Sequence, residues 1–180
     1  IKMNNYKKNL INYQNALAKI RHKEKEIFNL AKLIKEKLKS KNKIIVIGNG
    51  GSSSMSDHFA TELTCKFKKK RKPFSALSLN FPSSITAWSN DFNFKTYFSR
   101  QIEAFGNKGD ILLILTTSGG TKSQKSSNLF LAAKKAKKMK IDILTLSGKK
   151  RGALDKLSKI IIKVDSFETP IIQLTHQFIL

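Results

Sequence analysis

The sequence has little cysteine and no long apolar run. Cys65 is the single cysteine among 180 residues, so an intrachain disulfide is impossible and a cysteine-based zinc finger is excluded. A lone thiol fits a reducing compartment, and we expect the protein in the cytoplasm. The main apolar runs, at 44–47, 111–115 and 160–162, fall far below the roughly 20 residues of a membrane span. We therefore expect no membrane partner.

Acidic residues are also scarce. Asp and Glu together number 12 against 35 Lys and Arg, which gives a formal net charge of +23. Such an excess fits either an anionic partner or lysine-rich solvated surfaces. The densest basic run, residues 66–72, has the composition that neutralises nucleic-acid phosphates, but residues 134–140 repeat the pattern. We interpret the lysines mainly as solvated surface and do not expect a nucleic-acid partner.

Short apolar runs alternate with longer amphipathic segments along the chain. Such alternation is typical of a parallel sheet with helices on both faces. We predict one α/β three-layer sandwich with an N-terminal helical arm, in which residues 6–39 form two helices or one kinked helix around 21–23. A last helix starts near Thr169, and we expect it to be incomplete at Leu180. The predicted strands lie at 44–47, 75–79, 111–115, 141–146 and 160–164.

Two loops rich in glycine and hydroxyl residues follow predicted strands. Residues 48–54 have the sequence GNGGSSS, and residues 116–121 have the sequence TTSGGT. In parallel sheets, ligands bind beyond the carboxyl ends of the strands, where helix N-termini favour anions. Neither loop has the lysine of a Walker loop, and the first lacks the third glycine of a dinucleotide fingerprint. The loops therefore predict a small phosphorylated ligand rather than a nucleotide.

The helix predicted after the first loop carries His58 and Glu62 four residues apart, one turn along the same face. An imidazole and a carboxylate in this arrangement can share a divalent metal or divide acid and base work. The spacing alone is equally compatible with a histidine and a glutamate that pair on the surface without a chemical role. Gln173 and His176 are three residues apart and also share a helical face. The alternative to a functional role for these two residues is a helix-capping or surface role.

These stretches together resemble the SIS (sugar isomerase) domain, and within it the sedoheptulose 7-phosphate isomerases, also called phosphoheptose isomerases. The matching stretches are GNGGSSSMSDHFATEL at 48–63, SNDFNFKTYFSRQIEAFGNKGDILL at 89–113, TTSGGT at 116–121, LTLSGKKRG at 144–152 and IQLTH at 172–176. The resemblance implies a flavodoxin-like SIS domain over 41–180 with a five-stranded parallel sheet. It also implies a homotetramer in which the helices of residues 1–40 pack and neighbouring subunits complete the sites.

The resemblance assigns roles to individual residues. It implies that Glu62 is the catalytic base and that His58, Glu62 and Gln173 bind a zinc ion. It implies phosphate contacts from Ser52, Thr116, Ser118 and Thr121, with Thr117 in the same loop, and other substrate contacts from Asn49, Gly50, Gly51, Glu62, Asn90, Asp91 and Gln173. The chain departs from the family pattern at Lys66, Ile171 and Leu174, and the family's second catalytic histidine would fall at position 181.

The implied activity is the conversion of D-sedoheptulose 7-phosphate to D-glycero-D-manno-heptose 7-phosphate through an enediol, for lipopolysaccharide or capsule synthesis. The alternative is a non-catalytic SIS scaffold that binds phosphosugars or a replication initiator. Such scaffolds typically lack the histidine and glutamate pair, which this chain has at His58 and Glu62. The pair therefore favours the enzyme.

Overall fold

A five-stranded parallel sheet in the order β2-β1-β3-β4-β5 forms the centre of the molecule. The computed structural model describes residues 3–122 and 125–180. The predicted α/β sandwich is confirmed, and each predicted strand is present with ends shifted by no more than one residue. The strands are β1 (Ile44–Gly48), β2 (Ala76–Ser78), β3 (Ile111–Leu115), β4 (Asp142–Ser147) and β5 (Ile160–Lys163).

The two central strands, β1 and β3, are buried along their whole length. Successive side chains of a strand face opposite sides of the sheet. Ile45 and Ile114 belong to one apolar cluster, and Val46 and Leu113 belong to the other. A continuous apolar run therefore forms a strand here because helices cover both faces of the sheet.

Helices form the two outer layers. Side chains of α1, α2, α3 and α7 join one cluster, and those of α4, α5 and α6 join the other. The predicted break near residue 21 is a single 3-10 turn between α1 and α2. No helix in the described ranges is long and apolar enough to cross a membrane. The helices are α1 (Met3–Ile20), α2 (Glu24–Lys39), α3 (Gly51–Thr64), α4 (Pro82–Asp91), α5 (Tyr97–Phe105), α6 (Ser127–Lys138) and α7 (Thr169–Ile179).

The sequence predicts that the helix after the first loop runs through about Lys66, whereas α3 ends at Thr64 and the basic run that follows it is irregular. The guanidinium of Arg71 explains the early end, because it donates to the carbonyl oxygens of Glu62 at 2.6 Å and Leu63 at 2.8 Å. These carbonyls lie in the last turn of α3, where backbone acceptors lack helical partners. The sequence also predicts a helix from about Gln124 to Lys138; its predicted start lies outside the described residues, and α6 begins at Ser127.

The arm formed by α1 is attached to the rest of the domain by polar contacts. Lys19 forms an ion pair with Asp165 at 2.7 Å, and the Asn12 amide donates to Glu168 at 3.1 Å. Hydrogen bonds from Lys149 and Lys19 lower the pKa of Asp165 to about 2. These contacts join α1 to the segment that leads into α7.

His176 lies on the buried face of α7 and is fully enclosed. The sequence left a capping or surface role open for it, and the burial excludes a surface role. Neither ring nitrogen makes a hydrogen bond of ordinary geometry within the described ranges. Burial lowers the pKa of His176 from 6.5 to about 4, although the backbone of Ser147 partly opposes this shift. The folded protein therefore holds this imidazole in its neutral form.

The buried imidazole makes the stability depend on pH. Because the unfolded chain binds the proton more tightly, stability falls as the pH drops from 6.5 towards 4. Between pH 7 and pH 5 we expect the free energy of unfolding to fall by about 2 kcal/mol through this group. Urea unfolding of a His176→Leu variant should lack this part of the pH dependence. The exposed His22→Gln variant is the matched control, and an equal effect of both substitutions would contradict the prediction.

Candidate active site

The first loop connects β1 to α3 through a tight turn. Gly50 has a φ of 54°, a conformation that costs little only for glycine. The amide of Ser52 donates to the Asn49 carbonyl at 3.1 Å, and the amide of Ser53 donates to the Gly50 carbonyl at 2.8 Å. The loop therefore leads directly into the positive end of the α3 dipole, where an anion is stabilised.

A reciprocal pair of amides joins the first loop to the start of α6. Asn49 donates to the Asn128 side chain at 3.0 Å, and Asn128 donates back at 2.8 Å. Asn128 is buried and also accepts the backbone N–H of Leu129. Asn128 lies in no sequence motif, and its position in the first turn of α6 is the one signal that could have indicated it. These two hydrogen bonds fix the orientation of the Asn49 side chain, to which the resemblance assigned a substrate contact.

The second loop, after β3, carries a cluster of hydroxyls. The Thr116 hydroxyl accepts the backbone N–H of Ser118 at 3.3 Å, and its oxygen lies 3.4 Å from that of the Ser118 side chain. Ser118 also donates to Ser126 at 3.5 Å. The Thr121 hydroxyl donates to the carbonyl of Lys125 at 2.8 Å. Ser126 is a further hydroxyl in this cluster that the sequence did not predict.

Both loops line one cavity of about 360 Å³ at the carboxyl edge of the sheet. Gln173 of α7 closes one side, and a Cβ placed on Gly51 would lie 2.7 Å from its side-chain nitrogen. Ser118 and Thr121 are not part of the lining. The lining consists of Asn49, Gly50, Gly51, Ser52, Leu115, Thr116, Thr117, Ser126, Leu129, Thr169 and Gln173. The structure therefore brings most of the predicted phosphate and sugar contacts together.

His58 and Glu62 form a pair on α3, with 3.2 Å between the His58 Nε2 and Glu62 Oε1 atoms. Their side chains are 53% and 32% exposed. They line a neighbouring cavity of about 290 Å³, rather than the cavity between the loops. Gln177 lines this second cavity, and its side-chain nitrogen lies 3.0 Å from the His58 Nδ1 atom. No motif or spacing in the sequence predicted a role for Gln177.

Asn90 and Asp91 lie apart from the loops. Both are exposed residues at the end of α4, and the Asn90 amide donates to the Asp91 carboxylate at 2.8 Å. Neither residue lines the cavity between the loops. Within one chain, the structure does not bring them to the predicted substrate contacts.

His58 and Glu62 on α3 are two adjacent side chains of the types that bind zinc. Zinc sites in proteins use three or four ligands. Within residues 3–122 and 125–180, no group of three or more His, Cys, Asp or Glu side chains is arranged to hold a metal ion. Gln173 packs against Gly51 in the cavity between the loops. The described residues therefore do not complete a zinc site by themselves.

Comparison with known proteins identifies the family. The SIS domain profile matches residues 5–148. The chain is 42% identical over 145 residues to a phosphoheptose isomerase of Helicobacter pylori, covering 80% of this chain and 73% of that protein. It is 40% identical over 156 residues to phosphoheptose isomerase 1 of Campylobacter jejuni, covering 86% and 81%.

Solved structures give the same result. A phosphoheptose isomerase from Francisella tularensis superposes with a TM-score of 0.89 at 28% identity, over 99% of this chain and 94% of that one. The enzyme from Neisseria gonorrhoeae superposes with a TM-score of 0.88 at 27% identity, over 98% and 92%. The chain therefore belongs to the SIS-domain family, and within it to the phosphoheptose isomerases.

Proposed function

We propose that this chain converts D-sedoheptulose 7-phosphate to D-glycero-D-manno-heptose 7-phosphate. The observation that carries the proposal is the cavity shared by the two loops, with the pair of His58 and Glu62 in the neighbouring cavity along α3. The family relationship supports it, because the relatives at 40% identity or more described above are named phosphoheptose isomerases. The product would supply heptose for lipopolysaccharide or capsule synthesis, in the cytoplasm.

The cavity between the loops would hold the phosphate. Its lining combines the N-terminus of α3 with the hydroxyls of Ser52, Thr116 and Thr117, all of which can donate to phosphate oxygens. Ser118 and Thr121 would act from the same loop. Because the phosphate is remote from the reacting carbons, its binding energy would hold the sugar in a fixed orientation.

Aldose and ketose phosphates interconvert by moving a proton between neighbouring carbons through an enediol. A base removes a proton from the carbon next to the carbonyl while the carbonyl oxygen gains a proton, which gives the enediol. The base then returns its proton to the former carbonyl carbon, and the neighbouring hydroxyl loses its proton and becomes the new carbonyl. We assign the base to Glu62, whose carboxylate contacts His58 at 3.2 Å. Gln173 extends from α7 into the cavity between the loops and would hold the sugar hydroxyls, while water supplies the proton to the oxygen.

Zinc remains a proposal that rests on the family resemblance. His58 and Glu62 would provide two ligands, and Gln173, the third that the resemblance implies, lies in the cavity between the loops. A bound zinc ion acts as a Lewis acid that polarises a carbonyl oxygen. The binding and proton transfer assigned above use groups of this chain together with water.

Replacing the base tests the proposed reaction. Glu62→Gln keeps the shape of the side chain but removes its basic carboxylate, so we expect turnover of sedoheptulose 7-phosphate to fall by about 10²–10⁴-fold. The exposed Glu36→Gln variant on α2 is the matched control and should keep full activity. Circular dichroism checks that both variants fold. A wild-type rate for Glu62→Gln would overturn the assignment of the base.

We also propose that the chain assembles into a homotetramer through the layer of α1, α2 and α7. Several large apolar side chains on these helices are exposed in a single chain, among them Leu10, Phe28 and Phe178 at 43%, 67% and 65%. Isolated monomers rarely expose such side chains close together. Assembly would also allow Asn90 and Asp91 of a neighbouring subunit to approach the cavity that they do not reach within one chain.

Light scattering after gel filtration measures the assembly. We expect a mass four times the 20.3 kDa of one chain. Phe28→Glu places a charge on the proposed interface, so it should reduce the mass to that of smaller species. Phe105→Glu alters an exposed phenylalanine in the opposite helical layer and should leave the mass unchanged. A monomeric wild-type protein would contradict the proposal.

A further inference from the structure

The basic run at 66–72 contains one residue that differs from its neighbours. Arg71 is half-buried, whereas every other residue from 65 to 75 is exposed. It is also the only arginine of the run, beside five lysines. Its side chain lines the cavity of about 290 Å³ that the pair of His58 and Glu62 also lines. The run is therefore not uniform, because its lysines are solvated while its arginine lies at the candidate site.

The guanidinium of Arg71 is held by backbone oxygens and by an aromatic ring. Its Nη2 atom donates to the Glu62 carbonyl at 2.6 Å. Its Nη1 atom donates to the Leu63 carbonyl at 2.8 Å and to the Lys72 carbonyl at 3.1 Å. The central carbon of the guanidinium lies 4.4 Å from the centre of the Phe74 ring, a distance at which a cation and a ring attract each other. These contacts fix the group against the end of α3.

The end of α3 needs such a contact because of where the helix stops. Glu62 is the third residue from its C-terminal end at Thr64. In a longer helix the carbonyls of Glu62 and Leu63 would accept N–H groups four residues further on, but here the helix ends before those residues. Terminal turns of helices open readily when their carbonyls have no partner. The guanidinium replaces the missing helical donors at two consecutive carbonyls.

The bond to Glu62 is made to its backbone oxygen. This contact is the same whether the carboxylate takes up a proton or binds a metal ion. The planar fork of an arginine can reach two consecutive carbonyls at once, whereas the ammonium of a lysine is a compact point charge. The position of the turn therefore depends on the one arginine of the run rather than on its total charge.

We propose that Arg71 is a positioning residue of the isomerase. It acts through the backbone of Glu62, because it keeps the last turn of α3 closed and so keeps the carboxylate at a fixed place in its cavity. This inference rests on the proposed function and extends it to the segment after α3. A displacement of a reacting group by about 1 Å can lower a rate by about 10²-fold, so an opening turn would reduce turnover even in a folded protein.

Hydrogen–deuterium exchange with mass spectrometry measures the closed turn without any substrate. In Arg71→Ala the amides of residues 60–67 should exchange about ten-fold faster, the effect of losing roughly one hydrogen bond to a charged group. Arg71→Lys keeps the aliphatic stem and the charge, which protects against unfolding, but it lacks the fork and should show a smaller change in the same direction. Lys70→Ala removes the same charge from an exposed neighbour and should exchange like wild type.

Steady-state kinetics with sedoheptulose 7-phosphate provides the second readout. We expect kcat of Arg71→Ala to fall about 10–100-fold, with KM nearly unchanged because the loops bind the phosphate. Methylguanidinium in the buffer should recover part of kcat of this variant, whereas methylammonium should not, since it has no planar fork. Lys70→Ala should keep the wild-type kcat. Thermal unfolding confirms that each variant is folded at the assay temperature.

The two readouts distinguish the possible failures. If exchange over residues 60–67 is the same in wild type and both Arg71 variants, the contact is absent in solution and the proposal is overturned. If exchange accelerates but kcat of the folded variants does not change, Arg71 only stabilises the helix end, and the positioning role is overturned. If wild type has no isomerase activity while exchange changes as expected, the contact stands and the proposed function falls.

Discussion

The parallel pairing of β1 with β3 determines where the site forms. From β1 the chain crosses to β2, towards one edge of the sheet, and from β3 it crosses to β4, towards the other edge. The loops that leave these two neighbouring strands therefore diverge and open a crevice between them, as at the switch point of other doubly wound sheets. The register pairs Gly48 with Leu115, so both strands end at the same level. The site exists because two glycine-rich or hydroxyl-rich loops begin side by side.

Further contacts turn this crevice into a defined cavity. The amides of Asn49 and Asn128 hold the first loop against α6. A Cβ on Gly152 would lie 2.0 Å from the Gly119 carbonyl oxygen, so the loop that follows β4 supports the second loop by direct backbone contact. On the opposite face, α7 lies beside α3 and supplies Gln173. The cavity between the loops therefore depends on elements from both helical layers.

The sequence predicted those parts of the molecule that local chemistry determines. The strands were predicted correctly because β1 and β3 are apolar at every position, and the loops were predicted because glycine and hydroxyl residues follow the strands directly. The pair of His58 and Glu62 was predicted from a spacing of one helical turn. Which cavity the pair lines was not predictable, because that depends on how α3 packs against α7 and on the segment after α3.

The residues that the sequence did not reveal act across long separations. Asn128 pairs with Asn49 over 79 residues, and Gln177 contacts His58 over 119 residues. Neither residue type is unusual in a helix, and neither lies in a motif. Arg71 ended α3 earlier than expected because its guanidinium reached back to the helix carbonyls, a contact that depends on the path of the basic segment. Tertiary packing, rather than local preference, gave these residues their roles.

The distribution of charge separates the encounter with the substrate from its recognition in the cavity. The chain carries a net charge of +23, yet the lining of the cavity between the loops, as far as the chain is described, contains no charged side chain. Short-range recognition of a phosphate in this cavity would therefore depend on amides, hydroxyls and the α3 dipole, all of which have fixed directions. The lysines outside the cavity act at longer range, where they attract an anionic substrate and raise its rate of encounter. Because salt screens exposed charges over about 8–10 Å, ionic strength should affect the encounter far more than the orientation of the bound sugar phosphate.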